Sequence, residues 1–193
     1  MKKIEIIWRE ILEKAAKTAT FEQKQLAEKF HFSTSTVFAA VSPLRDIGAI
    51  AVTGRNFRIT NLEKILLFWA THRRINRDIV YQTHAEMPVM EIEGLIDNHT
   101  IYGAYSAARI LLKAAPSEYD KAYFYHKDSK ELRQRFPPSS NAPNIFVLKA
   151  DPFLPSYGKT SPLSQTYVDL WNLKDWYADE FLRALKEKFY GFL

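Results

Sequence analysis

The sequence contains no cysteine, few glycines and no long hydrophobic run. Its 193 residues include six glycines and no cysteine. The absence of cysteine excludes a disulfide framework, a catalytic thiol and any zinc or iron–sulfur site with cysteine ligands. No apolar segment approaches the roughly 18 residues that a membrane-spanning helix needs. We therefore expect no membrane contact.

The first residues, MKKIEIIWREILEK, begin like a signal peptide but do not continue like one. Glu5, Arg9 and Glu10 interrupt the region that would have to be apolar. A signal peptide needs that region unbroken, so we expect an amphipathic helix of the mature protein and a cytoplasmic location.

The excess positive charge is concentrated in the first two-fifths of the chain. The formal net charge is +5. Residues 1–78 contain 14 Lys and Arg against 8 Asp and Glu, whereas residues 79–193 contain 13 against 14. This asymmetry indicates that the first part binds a polyanion. A chance distribution of solvated surface charge is the alternative.

Apolar residues at helical spacing predict three helices in the first part of the chain, followed by a hairpin. Thr20 and Gln23 fit a capping box before the second helix, and Ser33 fits the N-cap of the third. Pro43 lies either inside the third helix or at the first position of a restart capped by Ser42, and in both cases we expect a kink. The run AIAVTGRNFRITN then predicts two short strands joined at GRN.

Three helices followed by a basic hairpin is the order of a winged helix-turn-helix. The segment QLAEKFHFSTSTVFAAVSPLRDIGAIAVTGRNFRIT resembles the winged-helix transcription regulators. The resemblance implies a DNA-binding domain over residues 1–60, with its third helix in a major groove and its hairpin, the wing, on phosphate. It also implies double-stranded DNA as a partner and a homodimer on paired half-sites.

The candidate DNA-binding residues lie on the third helix, on the wing or in a basic cluster after a fourth helix. They are Ser33, Thr34, Ser35, Thr36, Phe38, Ser42, Arg45, Arg55, Asn56, Arg58, Arg73, Arg74 and Arg77. Hydroxyl, Ala and Phe side chains can contact base edges and thymine methyl groups, while arginines contact phosphates. For Phe38 the alternative is packing on a neighbouring element. For the three arginines after the fourth helix, it is stabilisation of the helix dipole.

The rest of the chain predicts a connecting helix over residues 61–78 and a small α/β domain over residues 79–193. We expect three to four strands and C-terminal helices there, hence a mixed α+β fold overall. The segments YGAYSAARILL and LSQTYVDLWNL resemble AbiEi-type antitoxins. That resemblance implies an antitoxin-like autoregulator, with dimerisation, effector sensing or a cognate toxin protein as the role of this domain.

Catalytic and metal-binding motifs are not recognisable in the sequence. The five histidines are scattered, and the spacing of Glu91, Glu93 and Asp97 is typical of a solvated helix face. His126 and Asp128 follow a predicted strand, where α/β folds often carry sites. We expect a non-enzymatic regulator without cofactor or metal. The alternatives are a winged helix that binds protein, which the uncharged third helix favours, and a nucleic-acid-processing enzyme that uses these acidic residues.

Overall fold

The computed structural model describes residues 1–190, with side chains through Phe189. These residues form nine α-helices and seven strands. They divide into a first unit, Met1–Arg73, and a second unit that begins at Arg74. The predicted mixed α and β character is therefore confirmed. Across the described residues, no helix combines the length and the apolarity that crossing a bilayer requires.

The first unit contains four helices and a small sheet. Its elements are α1 (Lys3–Lys14), β1 (Thr20–Glu22), α2 (Gln23–Phe30), α3 (Thr34–Asp46), β2 (Ile50–Thr53), β3 (Asn56–Ile59) and α4 (Leu62–His72). The indole N–H of Trp8 on α1 donates to the carbonyl of Ala40 on α3 at 2.8 Å. The fourth helix packs against α1 inside this unit.

The three strands of the first unit pair antiparallel, with β3 between β1 and β2. The predicted capping box at Thr20 is wrong, because Thr20 belongs to β1 and α2 begins at Gln23. The rings of Phe21 and Phe57 stack with centroids 5.5 Å apart on the buried face of this sheet. The segment Thr20–Glu22 is therefore a strand that pairs with β3 and buries Phe21, where the sequence predicted the start of a helix.

Helix α3 runs unbroken from Thr34 to Asp46 with Pro43 inside it. The predicted restart at Ser42 does not occur. Proline removes the backbone N–H that an interior helical position would donate to the preceding turn. The helix keeps its buried face across this position, since Val41 and Leu44 are both in the core.

The second unit is a four-stranded sheet with helices. Its elements are β4 (Ile79–Thr83), α5 (Val89–Gly94), β5 (Ile101–Gly103), α6 (Ala104–Leu112), β6 (Ala122–His126), α7 (Lys130–Arg135), β7 (Ile145–Lys149), α8 (Leu163–Trp171) and α9 (Ala178–Tyr190), with 3-10 turns at Ile75–Asp78 and Leu154–Tyr157. The strand order is β4-β7-β6-β5. Strands β6 and β7 are parallel, and the two outer pairs are antiparallel. The last three residues of the predicted domain, 191–193, lie outside the described residues.

Both outer strands of this sheet are partly covered. On β5, the N–H of Tyr102 donates to the carbonyl of Lys159, and the N–H of Ser161 donates to the carbonyl of Tyr102, both at 2.8 Å. The register of β4 shifts at Val80. The Val80 carbonyl accepts a hydrogen bond from the Arg133 guanidinium at 2.9 Å.

Candidate nucleic-acid interface

The start of α3 presents a cluster of hydroxyl groups to solvent. Ser33 is the N-cap, as predicted, and its Oγ accepts from the backbone N–H of Thr36 at 3.3 Å. The same Oγ lies 2.8 Å from Ser35 Oγ and 2.9 Å from Thr36 Oγ1. Ser33, Thr34 and Ser35 are exposed, and Thr36 is half-buried. Hydroxyls both donate and accept, so this turn can meet phosphate oxygens or base edges.

Phe38 exposes 56% of its surface on the next turn of α3. The interpretation that it packs on a neighbouring element is therefore wrong. Beyond it, the guanidinium of Arg45 lies 3.2 Å from the Asp46 carboxylate and 3.4 Å from Ser42 Oγ. Exposed pairs of this kind are worth little free energy, so a phosphate can replace Asp46 as the partner of Arg45. The exposed face of α3 is thus uncharged until its last turn.

The hairpin of β2 and β3 carries two unpaired cations. Gly54, with φ +62°, and Arg55 form its tip. Asn56 and Arg58 are exposed on β3, on the face opposite the buried Phe57. Among the residues that the structure describes, no carboxylate lies within 4.0 Å of the guanidinium of Arg55 or Arg58. Their charges are therefore available to an anion from solution.

Arg73 is not part of any exposed basic cluster. Its side chain is buried in the first unit, where Nη1 lies 3.7 Å from Glu5 Oε1. The same Glu5 oxygen accepts from the indole N–H of Trp69 at 3.2 Å. The prediction that Arg73 binds DNA is therefore wrong. Arg74 and Arg77 are exposed and belong to the second unit, whereas α3 and the hairpin belong to the first.

Glu93 in the second unit is buried, although its helix position indicated a solvated face. Its carboxylate accepts from Arg109 Nη2 at 2.6 Å and from the Tyr119 hydroxyl at 2.7 Å. Partial burial alone would lower the pKa of Arg109, but the hydrogen bond and ion pair with Glu93 raise it. Burial and the bond to Glu93 also raise the pKa of Tyr119. Glu91, by contrast, is exposed as predicted.

One group of side chains within the described residues has the spacing of a metal site. Possible ligand atoms of Asp97, His126 and Glu131 lie within 4.8 Å of one another. His126 is buried, and its Nε2 lies 3.7 Å from Asp97 Oδ1. Its Nδ1, however, accepts from the backbone N–H of Asp128 at 2.9 Å. In the neutral ring this bond leaves the proton on Nε2, and that atom is buried without a hydrogen-bond partner among the described residues.

Asp97 is also engaged in its own turn. Its carboxylate accepts from the N–H of His99 at 2.6 Å, and from the N–H and the hydroxyl of Thr100, each at 2.9 Å. Burial alone would raise the pKa of Asp97, but these hydrogen bonds, together with nearby His126, lower it. Asp97 and His126 thus hold the turn between α5 and β5 and the end of β6.

Comparison with known proteins adds no relative. No protein-family model, no curated protein and no solved structure matches the chain. Function is therefore inferred from the geometry of the described residues.

Proposed function

We propose that this chain is a sequence-specific, double-stranded-DNA-binding transcriptional regulator whose first unit is a winged helix-turn-helix. One observation carries the proposal. An exposed, uncharged helix face with hydroxyls and Phe38 lies in the same unit as a hairpin whose arginines have no carboxylate partner within the described part of the chain. A helix that reads base edges needs hydrogen-bonding and apolar groups, and its phosphate contacts can come from elsewhere.

The proposal divides affinity from specificity. Arg55 and Arg58 on the wing, with Arg45 at the end of α3, contact phosphates and provide affinity for any duplex. Thr34, Ser35 and Phe38 face the major groove and select among base pairs. The arginines would therefore set the salt dependence, and the helix face would set the sequence preference.

The second unit is proposed to supply homodimerisation or partner binding. The similarity of YGAYSAARILL and LSQTYVDLWNL to AbiEi-type antitoxins supports an antitoxin-like autoregulator with a cognate toxin protein as a partner. A cytoplasmic location follows from that role. A homodimer would place two copies of α3 on paired half-sites of an operator.

Salt-dependent DNA binding tests the proposal. Fluorescence anisotropy with a duplex selected from random sequence should show binding that weakens with salt. Three phosphate-contacting arginines from each of two protomers predict a slope near about −5 in log K against log salt. Failure to bind any duplex at about 50 mM salt, where the phosphate contribution is strong, would contradict the proposal.

A protein-binding winged helix is the second candidate, because apolar side chains are exposed in the first unit. Besides Phe38, both Ile47 and Val52 are 36% exposed. Exposed apolar patches often mark protein interaction sites. If this candidate is right, Phe38→Ala should abolish binding of a protein partner while no duplex binds. The same anisotropy experiment therefore separates the two candidates.

A further inference from the structure

A groove of about 700 Å³ opens in the second unit between the start of α5 and the segment that follows α6. We call it the α5–α6 groove. One wall is formed by residues 87–90, and the other lies within residues 115–120. Arg109 and Asn144 also line it. Neither the DNA-binding proposal nor the Asp97–His126 turn uses these residues.

The α5–α6 groove has a rigid base. Arg109 is held by its 2.6 Å contact with the buried Glu93 and by a 3.0 Å hydrogen bond from its Nε to the Tyr119 hydroxyl. The Asn144 side chain accepts from the N–H of Ala85 at 3.0 Å and donates to the Ala85 carbonyl at 2.9 Å. The Asn144 bonds hold Ala85, just before the wall of residues 87–90. The Arg109 bond holds Tyr119, within the other wall. A binding surface that is ordered in advance loses less entropy when it binds.

The wall of residues 87–90 is apolar and adaptable. It consists of Met87, Pro88, Val89 and Met90, and Met90 is 53% exposed. Methionine is flexible and polarisable, and it is common on surfaces that accept apolar side chains of varied shape. This wall therefore fits an apolar side chain of a partner.

The rim of the groove is acidic. Two carboxylates line it, those of Glu118 and Asp120, and both belong to the wall within residues 115–120. The cation at the base, Arg109, is already neutralised by Glu93. Glu118 and Asp120 are exposed. A partner that complements this rim therefore carries positive charge.

We propose that the α5–α6 groove binds a protein segment that carries an apolar side chain flanked by lysines or arginines. The apolar side chain would lie against Met87 and Met90, and the flanking cations would face Glu118 and Asp120. Apolar burial would provide affinity, and the acidic rim would select for basic flanks and against acidic ones.

Synthetic peptides test this proposal on the full chain. The probe is a short fluorescent peptide with a central Leu-Phe pair between lysines and arginines. One control replaces the apolar pair with Ser-Ser, and another replaces the basic residues with Glu. The basic apolar peptide should bind, and both controls should bind at least about tenfold more weakly. Binding should weaken between about 0.1 M and about 1 M salt, because exposed ion pairs are screened.

Variants locate the binding to the groove. Met90→Ser, and the double change Glu118→Lys with Asp120→Asn, should each weaken peptide binding about tenfold. These side chains are exposed, so an unchanged thermal midpoint shows that folding is intact. Glu187→Lys, a charge reversal on the exposed face of α9, is the matched control and should leave binding unchanged.

Three results would overturn the proposal. In the first, Glu187→Lys weakens binding as much as the double change, which indicates general electrostatic attraction. In the second, the serine control peptide binds as well as the apolar one. In the third, sedimentation equilibrium gives a dimer that Met90→Ser converts to a monomer, so that a second copy of the chain fills the groove.

Discussion

Phe38 is a large apolar side chain in solvent, with Thr34 and Ser35 on the preceding turn and Ser42 on the following one. If α3 lies in a major groove, this ring contacts the C5-methyl group of thymine, the apolar feature of that groove. Because Phe38 is exposed, Phe38→Ala should leave the free energy of unfolding almost unchanged.

A duplex with deoxyuridine in place of thymine tests this contact. Removing one contacted methyl should weaken binding by the unsubstituted protein about fourfold, which corresponds to the loss of roughly one buried CH₂ group. Phe38→Ala should bind both duplexes equally well. If the variant still prefers thymine, another side chain reads the methyl group.

Arg73 shows how a single buried cation can stabilise the first unit. Replacing it with alanine leaves Glu5 in the core without that cation, and loss of one partner of a buried pair costs about 3–5 kcal/mol. We expect Arg73→Ala to lower the free energy of unfolding by about that amount, measured as a lower urea midpoint. Arg77→Ala, at an exposed position four residues later, is the matched control and should change stability by less than about 0.5 kcal/mol.

The helices of the second unit are held together by buried tyrosines. The hydroxyl of Tyr105 on α6 donates to Asp175, at 3.0 Å, in the segment between α8 and α9. Lys121, just before β6, pairs with the same carboxylate. Burial, followed by the charge of Asp175, raises the pKa of Tyr105 well above its ordinary value of 10.0. Burial likewise raises the pKa of Tyr177, which donates to Asp120 at 2.7 Å.

Alkaline pH should therefore unfold the second unit. The folded chain keeps these tyrosine protons above pH 10.0, while the unfolded chain releases them. The stabilisation is thus complete below that pH and is lost as pH rises beyond it. The urea midpoint should therefore be lower at about pH 11 than at about pH 8. Tyr105→Phe should be less stable by about 1 kcal/mol at neutral pH but show a smaller alkaline fall. An equal fall in both proteins would exclude Tyr105 as a cause.

The whole chain distributes its charge unevenly between the two units. Residues 1–73 contain 12 Lys and Arg against 7 Asp and Glu, so they carry the entire net charge of +5, and residues 74–193 contain 15 of each. Arg74 and Arg77 fall in the neutral unit. If DNA binds through α3 and the hairpin of both protomers, Arg55→Ala removes two phosphate contacts and should lower the salt slope by about 2.

The combined change Arg74→Ala and Arg77→Ala should leave that slope unchanged, as should Arg183→Ala on α9. Anisotropy titrations at several salt concentrations measure all three. If the double variant lowers the slope by about 4, these arginines contact phosphate in both protomers and the interface extends beyond the first unit.

Sequence periodicity predicted the helices well because their buried faces are long and continuous. The apolar stripe of α1 includes Ile7, Trp8 and Ile11, all in the core. Strand β5 cannot be recognised in the sequence, because Ile101–Gly103 is too short to show alternation and leads directly into α6. Its glycine is required by close packing, since a Cβ there would lie 3.0 Å from the ring of Tyr125.

Which groups a charged side chain contacts was harder to predict than which helix or strand the residue belongs to. Arg73 looked like the first member of a basic cluster, but its partner Glu5 is 68 positions earlier and only the fold brings them together. A carboxylate close to the apolar stripe of α1 was the available signal. Glu93 is similar, because its partners Arg109 and Tyr119 come from segments that follow it. The sequence could not predict the exposure of Phe38 either, since an aromatic residue on a helix can lie in a core or on a surface.

The covered outer strands of the larger sheet limit how copies of this chain can assemble. Lys159–Ser161 already pairs with β5, and β4 is irregular at Val80, where Arg133 holds the carbonyl. Unprotected strand edges are the templates on which chains stack into fibrils. The second unit is thereby protected against fibril growth along its sheet. A homodimer that forms through the second unit would therefore use side-chain surfaces more readily than strand pairing, and mutations can tune such surfaces without disturbing the backbone of the sheet.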